Sequence, residues 1–155
     1  MPYTVARASS ADSHEIAVLL RASIIELCGL DHGDNPDRYK AWLENKTAAN
    51  VESWIDGPGA AFVVQDQEKR ILGFAMGTPN GQIPLMYVLP DARLTGVSKT
   101  LMRALEDTFR DRGLDEAHLS STLTADRFYK SLGYAETGET KTQLDMTFGC
   151  FKKGL

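Results

Sequence analysis

The chain has 155 residues, 43% of them hydrophobic and 25% charged, which is typical of one globular domain. The formal net charge of −4 argues against a nucleic-acid surface, which needs a basic patch. There is no apolar run of the length of a membrane span, no signal-peptide core, and no metal-ligand spacing at Cys28 and Cys150. We therefore expect a single domain over residues 1–155 that is cytoplasmic, with no metal and no membrane or nucleic-acid partner.

The first 59 residues predict one strand followed by three helices. Residues 3–9 suit a strand, and apolar residues at helical spacing indicate a helix within residues 10–29. A helix begins at Pro36, after Asp34 or Asn35 as its cap. A shorter helix follows Thr47 and ends at the Asp-Gly-Pro-Gly run of residues 56–59.

The rest of the chain predicts six strands and two helices. The strands cover residues 60–66, 70–78, 82–90, 116–122, 134–139 and 143–151, and the helices cover residues 97–113 and 124–134. The order β-α-α-α-β-β-β-α-β-α-β-β indicates an α/β (α+β) fold with a mixed sheet flanked by helices. Pro84 cannot donate a ladder hydrogen bond, so it requires an edge, a bulge or a ligand-facing position.

The connection between the strand at residues 82–90 and the helix from Val97 suggests an anion site. A helix N-terminus leaves its first N–H groups without partners and carries partial positive charge, and Gly96 allows a bulky anion to approach the backbone. The expected ligand is a phosphate or pyrophosphate. The segment matches neither the P-loop nor the GxGxxG pattern.

Two motifs in this region together resemble the GNAT N-acetyltransferase superfamily. The first is Val88-Leu89-Pro90 followed by Arg93-Leu94-Thr95-Gly96-Val97-Ser98, with serine in place of the usual glycine or alanine. The second is Ala-Asp-Arg-Phe-Tyr-Lys-Ser-Leu-Gly-Tyr over residues 125–134. The first strand and helix are also similar to those of the family. The resemblance implies a mixed sheet splayed open near its middle, with acetyl-coenzyme A in the split.

The resemblance also implies an activity and roles for individual residues. An acetyl group would move from acetyl-coenzyme A directly to a primary amine of a small molecule or peptide. The backbone of Val88 and Leu89 would pair with the pantetheine arm, and the Val88 N–H would donate to the oxyanion. Tyr129 would be the general acid for the leaving thiolate. The pyrophosphate would be held by the loop residues Arg93, Leu94, Thr95, Gly96, Val97 and Ser98.

The general base and the acceptor stay open in the sequence. Gln82 stands where some members of the superfamily have a glutamate, and it cannot take a proton. His32, in the polar segment of residues 28–34, is a candidate base, although a plain loop that caps the Pro36 helix is favoured. Trp42 and Trp54 suit either the core or an acceptor pocket, and the core is favoured.

A different class of function also remains open. Ser98, Gln82 and Thr122 depart from the usual family residues, which leaves a non-catalytic acyl-coenzyme A sensor as the alternative, whereas Tyr129 argues for an enzyme. A homodimer is a further open expectation.

Overall fold

The computed structural model describes residues 3–144 and 146–155 and contains seven strands and six α-helices in that part of the chain. The strands are β1 (Tyr3–Arg7), β2 (Ala60–Asp66), β3 (Ile71–Gly77), β4 (Leu85–Val88), β5 (Glu116–Ser121), β6 (Ala135–Gln143) and β7 (Met146–Gly154). The helices are α1 (Ser13–Leu27), α2 (Gly29–His32), α3 (Pro36–Leu43), α4 (Ala48–Asp56), α5 (Val97–Asp111) and α6 (Asp126–Ser131).

The strands form two antiparallel sheets that meet at one point. The first sheet has the order β1-β2-β3-β4 and the second has the order β5-β7-β6. A parallel bridge joins Gln82 to His118, where Ile83 N donates to His118 O at 2.8 Å and His118 N donates to Gly81 O at 2.9 Å. Beyond this bridge β4 and β5 are not neighbours in either sheet. The mixed, splayed arrangement predicted from the sequence is confirmed.

Helices cover both faces of the first sheet. The apolar side of α5 packs with β3 and β4 in one core cluster, and α1 packs on the opposite face in a second cluster. Gly73 in β3 makes the close approach of α5 feasible, since a Cβ there would lie 2.8 Å from a methyl of Val97 and 2.9 Å from one of Leu101. The packing of α5 on β3 fixes where its N-terminus lies relative to β4.

The structure corrects the number of helices and the bounds of the last two strands. Residues 28–34 contain the one-turn helix α2, so four helices rather than three lie between β1 and β2. The strand predicted over residues 134–139 continues to Gln143 as β6, with Gly138 inside it at φ of +89° and a shift of register between Glu136 and Thr140. The strand predicted over residues 143–151 is β7, Met146–Gly154. The predicted last strand included Asp145, which lies outside the described residues.

Over residues 3–144 and 146–155, no helix is both long and apolar enough to cross a membrane.

Candidate active site

The edge of β4 that faces the split carries free backbone groups. Leu89 N donates to Leu72 O at 2.9 Å, and Gly73 lies opposite Val88. Because hydrogen-bonded and non-hydrogen-bonded pairs alternate in an antiparallel ladder, Val88 and Met86 direct their N–H and C=O groups away from β3 and into the split. This edge has the geometry that an added extended strand would need.

Leu89 does not belong to this edge. Its N–H is bonded to Leu72 O, and its carbonyl accepts from Ala92 N at 2.9 Å. The Leu89 N–H is therefore not available to a pantetheine arm, and Met86 and Val88 carry the free N–H groups of this edge. No sequence pattern indicated this, because the alternation depends on the pairing register with β3.

Pro84 lies where the ladder changes direction. The Ile83 N–H points across the split to His118 O, whereas the alternation in β4 directs the Leu85 N–H towards β3. In a regular strand the N–H groups of residues i and i+2 point in the same direction. The N–H groups of Ile83 and Leu85 do not, so the strand is irregular at Pro84. A residue without an N–H suits this position, and the irregularity opens the split from here onward.

The N-terminus of α5 has unpartnered backbone N–H groups, as the sequence predicted. Gly96 is its N-cap with φ of +88°, and the first described intrahelical bond is donated by Thr100 N to Gly96 O at 3.1 Å. The N–H groups of Val97, Ser98 and Lys99 thus have no acceptor within the helix. Leu94, also with positive φ (+65°), is 93% exposed.

Thr95 is placed differently from its neighbours in the motif. Its hydroxyl donates to Ala92 O, and its carbonyl accepts from Tyr3 Oη at 3.4 Å. These contacts with Ala92 and with Tyr3 of β1 stabilise the conformation of the loop. The resemblance assigned the Thr95 N–H to the pyrophosphate, whereas its hydroxyl and carbonyl support the loop backbone.

These elements enclose a cavity of about 460 Å³ between the β4 edge, the start of α5 and the start of α6. Its lining is mostly apolar where α1, β4 and α6 meet and turns basic at the α5 end, where Arg93 and Lys99 lie. The residues that line it and bear on function are Cys28, Met86, Tyr87, Val88, Arg93, Leu94, Gly96, Val97, Ser98, Lys99, Thr122, Phe128 and Tyr129.

Tyr129 lies on α6 and lines this cavity. The residue is 6% exposed, and its ring contacts those of Phe128 and Tyr134 at centroid distances of 5.3 and 5.9 Å. No described residue forms a hydrogen bond with the Tyr129 hydroxyl. Every fully buried side-chain polar atom in the described residues has a hydrogen-bond partner, so this hydroxyl is not fully buried. Burial, with a smaller effect of Cys28, raises the pKa of Tyr129. The phenol therefore keeps its proton throughout the neutral range.

Cys28 lies at the C-terminus of α1, on the same cavity. Burial, with a smaller effect of Asp31, raises the pKa of its thiol to about 12. The nucleophilic form of cysteine is the thiolate, which is a negligible fraction of Cys28 at neutral pH. The environment of Cys28 thus argues against an acyl-cysteine intermediate.

The polar segment at residues 28–34 is used for structure. Asp31 accepts from Leu123 N at 2.7 Å and from Thr124 Oγ1 at 2.9 Å, which ties α2 to the turn that leads into α6. Asn35, not Asp34, caps α3 by accepting from Asp37 N at 2.9 Å. The segment therefore helps to place Tyr129, a link over 92 residues that no sequence pattern indicated.

His32 is completely buried and has both ring nitrogens engaged. Nε2 lies 2.8 Å from Ile24 O, and Nδ1 accepts from Asp34 N at 2.9 Å. Since Nδ1 accepts, Nε2 carries the proton that the Ile24 carbonyl requires. Neither nitrogen is offered to a substrate, so we do not retain His32 as a candidate base.

A second cavity, of about 1040 Å³, lies on the far side of β4, between α3 and the β6–β7 hairpin. It shares Ile83, Pro84, Tyr87, Ser120 and Thr122 with the first cavity, so the two meet at the split. Its aromatic wall contains Trp42 and Phe148, which also pack in the core; Trp54 lies instead against the core on the α1 side. The remaining polar lining residues are Glu44, Asn45, Lys46, Asn50, Gln82, Lys141 and Gln143.

Sequence reasoning missed Tyr87 and Lys46, which line this second cavity. Tyr87 lies within the strand motif, but nothing in its spacing set it apart. Lys46 follows α3 in a polar stretch typical of a solvated loop. The described residues contain no group of three His, Cys, Asp or Glu side chains suited to a metal ion.

Comparison with known proteins identifies the family. A model of the acetyltransferase (GNAT) domain matches residues 31–151. The chain therefore belongs to the GNAT acetyltransferase family.

Curated relatives carry acetyltransferase names. The chain is 33% identical to a mycothiol acetyltransferase of Saccharomonospora viridis over 124 residues, which cover 70% of this chain and 40% of that protein. It is 26% identical to human N-acetyltransferase 8 over 102 residues, covering 58% of this chain and 45% of that protein. The chain thus spans less than half the length of these relatives.

Solved structures share the fold. A GCN5-related N-acetyltransferase from Rhodopseudomonas palustris matches with a TM-score of 0.87 at 20% identity, covering 100% of this chain and 97% of that one. The PaiA N-acetyltransferase from Thermoplasma acidophilum, solved in complex with coenzyme A, matches with a TM-score of 0.82 at 14% identity, covering 100% of both chains.

Proposed function

We propose that residues 1–155 form one acetyltransferase domain that moves an acetyl group from acetyl-coenzyme A directly to a primary amine of a small molecule or peptide. The observation that carries this proposal is the free edge of β4, which runs along one cavity between the N-terminus of α5 and Tyr129. Membership of the GNAT family and a shared fold with a protein solved with coenzyme A support the same reading.

The chain's own groups fit the two ends of this cosubstrate, which supplies an activated acetyl thioester. The unpartnered N–H groups of Val97, Ser98 and Lys99 suit a pyrophosphate, and Arg93 and Lys99 add positive charge. Met86 and Val88 offer the edge that an extended amide-containing arm could join. The apolar lining in between suits the arm's methylene groups.

Val88 and Tyr129 would act on the reacting end. In our assignment the Val88 N–H donates to the thioester carbonyl oxygen as negative charge develops there, which lowers the barrier because a fixed dipole needs no reorganisation. Tyr129 donates its hydroxyl proton towards the departing sulfur. Because burial raises the pKa of Tyr129, its phenolate is disfavoured. Tyr129 therefore acts through a strong hydrogen bond to the developing thiolate, and any proton that it passes to the sulfur is replaced from solvent, so that no phenolate remains.

The amine must lose a proton, and the sequence and structure point to water for this step. Gln82 lines the second cavity but has no basic site, and His32 faces the core. The second cavity is large and polar enough to hold water that could carry the proton to solvent. The second cavity is thus assigned to the acceptor and the first to acetyl-coenzyme A.

The experiment is a thiol-release assay with acetyl-coenzyme A and a panel of amines, followed by mass analysis of the amine product. We expect free coenzyme A and acetylated amine in equal amounts, and no release without an amine. A chain that binds acetyl-coenzyme A but acetylates no amine would instead be the non-catalytic sensor.

A further inference from the structure

The second cavity contains a cation that lacks the usual partner. Lys46 is only 7% exposed, and its Nζ donates to the side-chain oxygen of Asn45 at 2.6 Å. An ammonium group has three donors, and this bond uses one of them. No carboxylate in the described residues forms an ion pair with Lys46, and burial is the cause that lowers its pKa to about 8. At neutral pH Lys46 is therefore still mostly charged.

The chain around Lys46 is held in place by contacts from two helices. Arg21 of α1 donates to Leu43 O at 3.1 Å and to Lys46 O at 3.5 Å. Asn50 of α4 donates through its side chain to Asn45 O at 2.9 Å. The connection between α3 and α4 is thus anchored through its backbone, and the buried position of the Lys46 side chain does not depend on a mobile loop.

A buried cation without an anionic partner is unusual, because desolvation of a charge is costly unless the charge is paired. Binding of an anionic ligand in the second cavity would explain why the Lys46 cation is buried there. Among the described charged side chains that line the second cavity, two are lysines, Lys46 and Lys141, and one is a carboxylate, Glu44. Glu44 and Lys141 are exposed and surrounded by solvent, so Lys46 is the cation that a ligand would meet out of water.

We propose that Lys46 binds a carboxylate of the acceptor, so that the acceptor is a primary amine that also carries a carboxylate. This proposal rests on the proposed function, because it takes the second cavity to be the acceptor site. A single carboxylate matches the one buried ammonium group, whose remaining donors it would accept from. The carbon skeleton of the acceptor would lie against Trp42 and Phe148, and its amine would reach the split past Tyr87.

The test compares amine pairs that differ in one group, a carboxylate or its neutral carboxamide, such as phenylalanine and phenylalaninamide. For each protein the ratio of kcat/KM for the carboxylate to that for the carboxamide is measured. Comparing this ratio between variants cancels the different basicity of the two amines. A charge-assisted hydrogen bond predicts that Lys46→Gln lowers the ratio by a factor of roughly 10 to 100.

Two matched variants complete the design. Lys141→Gln removes the same charge from an exposed position of the same cavity, and we expect its ratio to stay within about twofold of the parent because of solvent screening. Lys46→Arg keeps the charge and is expected to retain most of the preference. Thermal melts establish that each variant is folded.

A binding measurement separates failure of this inference from failure of the proposed function. Calorimetric titration of the coenzyme A-loaded protein with phenylacetate, and with phenylacetamide as the neutral probe, needs no acetyl transfer. If no amine is acetylated, the proposed function fails, while binding of phenylacetate that Lys46→Gln abolishes still supports the anion site. If amines are acetylated but the parent and Lys46→Gln share one carboxylate-to-carboxamide ratio, the inference is overturned and the proposed function stands.

Discussion

The amide of Leu89 donates to the carbonyl of Leu72 at 2.9 Å, and this bond determines which way the neighbouring Val88 faces. In an antiparallel ladder the next residue must turn its N–H away from the partner strand. Val88 therefore presents a free donor to the cavity that contains Tyr129. The Val88 N–H, assigned to the thioester carbonyl, lies on β4, and the Tyr129 hydroxyl, assigned to the leaving thiolate, lies on α6. The packing of these two elements brings both groups to one cavity.

Acetyl-coenzyme A should stabilise the folded chain. A ligand that binds only the native state adds RT ln(1 + [L]/Kd) to the free energy of unfolding, about 2.7 kcal/mol at 100 times Kd. For a chain of this size the melting temperature should rise by roughly 5 to 10 °C. Thermal melts with cofactor check this, with ADP alone as a control that lacks the pantetheine arm. An unchanged melt at millimolar acetyl-coenzyme A would contradict the cofactor assignment.

Gly96→Val should abolish cofactor binding and leave the chain folded. Gly96 has φ of +88°, which a β-branched residue resists, and a Cβ there would lie 2.9 Å from Tyr3 Oη. Relief of this strain must distort the N-terminus of α5. Gly113→Val is the matched control, since Gly113 has φ of +78° at the other end of α5 and a Cβ there meets nothing within 4 Å. Calorimetry with coenzyme A should show binding only for the control.

Tyr129→Phe should lower kcat by a factor of about 10² to 10⁴, with little change in the Michaelis constant for acetyl-coenzyme A. Only the hydroxyl is lost, and its interaction is made mainly in the transition state. Tyr134→Phe should do the opposite. Its hydroxyl donates to buried Glu106 at 2.8 Å, so its loss should cost about 1 to 3 kcal/mol of stability and spare kcat. If kcat of Tyr129→Phe is as high as that of Tyr134→Phe and of the parent, Tyr129 has no part in the mechanism.

The pH dependence of kcat should show no loss of activity from Tyr129 below about pH 10, the ordinary pKa of a phenol. Burial raises the pKa of Tyr129, and its protonated form is the active one, so the alkaline loss that it causes must lie above that value. Rates at saturating amine from pH 7 to 10, with circular dichroism to confirm folding, provide the measurement. A descending limb below pH 9.5 that disappears in Tyr129→Phe would show that the pKa is not raised.

Lys46→Met should stabilise the chain at neutral pH, and the gain should shrink as the pH rises. The folded-state pKa is lowered from 10.5 to about 8, so the native state disfavours the charged lysine and binds fewer protons than the unfolded state between these values. The parent therefore recovers stability relative to the variant over this range. The gain at pH 7 should not exceed about 3 kcal/mol.

Denaturant titrations of parent and Lys46→Met at pH 7 and pH 10 measure this difference directly. Using the difference removes the effect of Cys28, whose pKa of about 12 in the folded state acts in the opposite direction in alkali. A gain that is the same at both pH values would show that Lys46 is not desolvated in the native state.

Some of this molecule follows from local sequence alone. The strand that contains Val88, the glycine at position 96 and the amphipathic helix after it could be predicted from neighbouring residues, because each depends on backbone rules that act over a few positions. The conformation of Gly96 and, apart from α2, the order of the elements agree with those rules. The Phe128-Tyr129 pair on α6 was equally readable, because its motif lies within ten residues.

The tertiary structure decided what depends on distant pairing and on burial. The Leu89 N–H is bonded to Leu72 O, and both ring nitrogens of His32 are engaged by Ile24 and Asp34, so these groups are not free for the roles that the sequence suggested. The burial of Lys46 beside the second cavity could not be predicted, because it results from the packing of α3 and the β6–β7 hairpin. A sequence fixes which groups exist, but the free energy of a charge or of a donor depends on what surrounds it, and those surroundings come from residues far away in the chain.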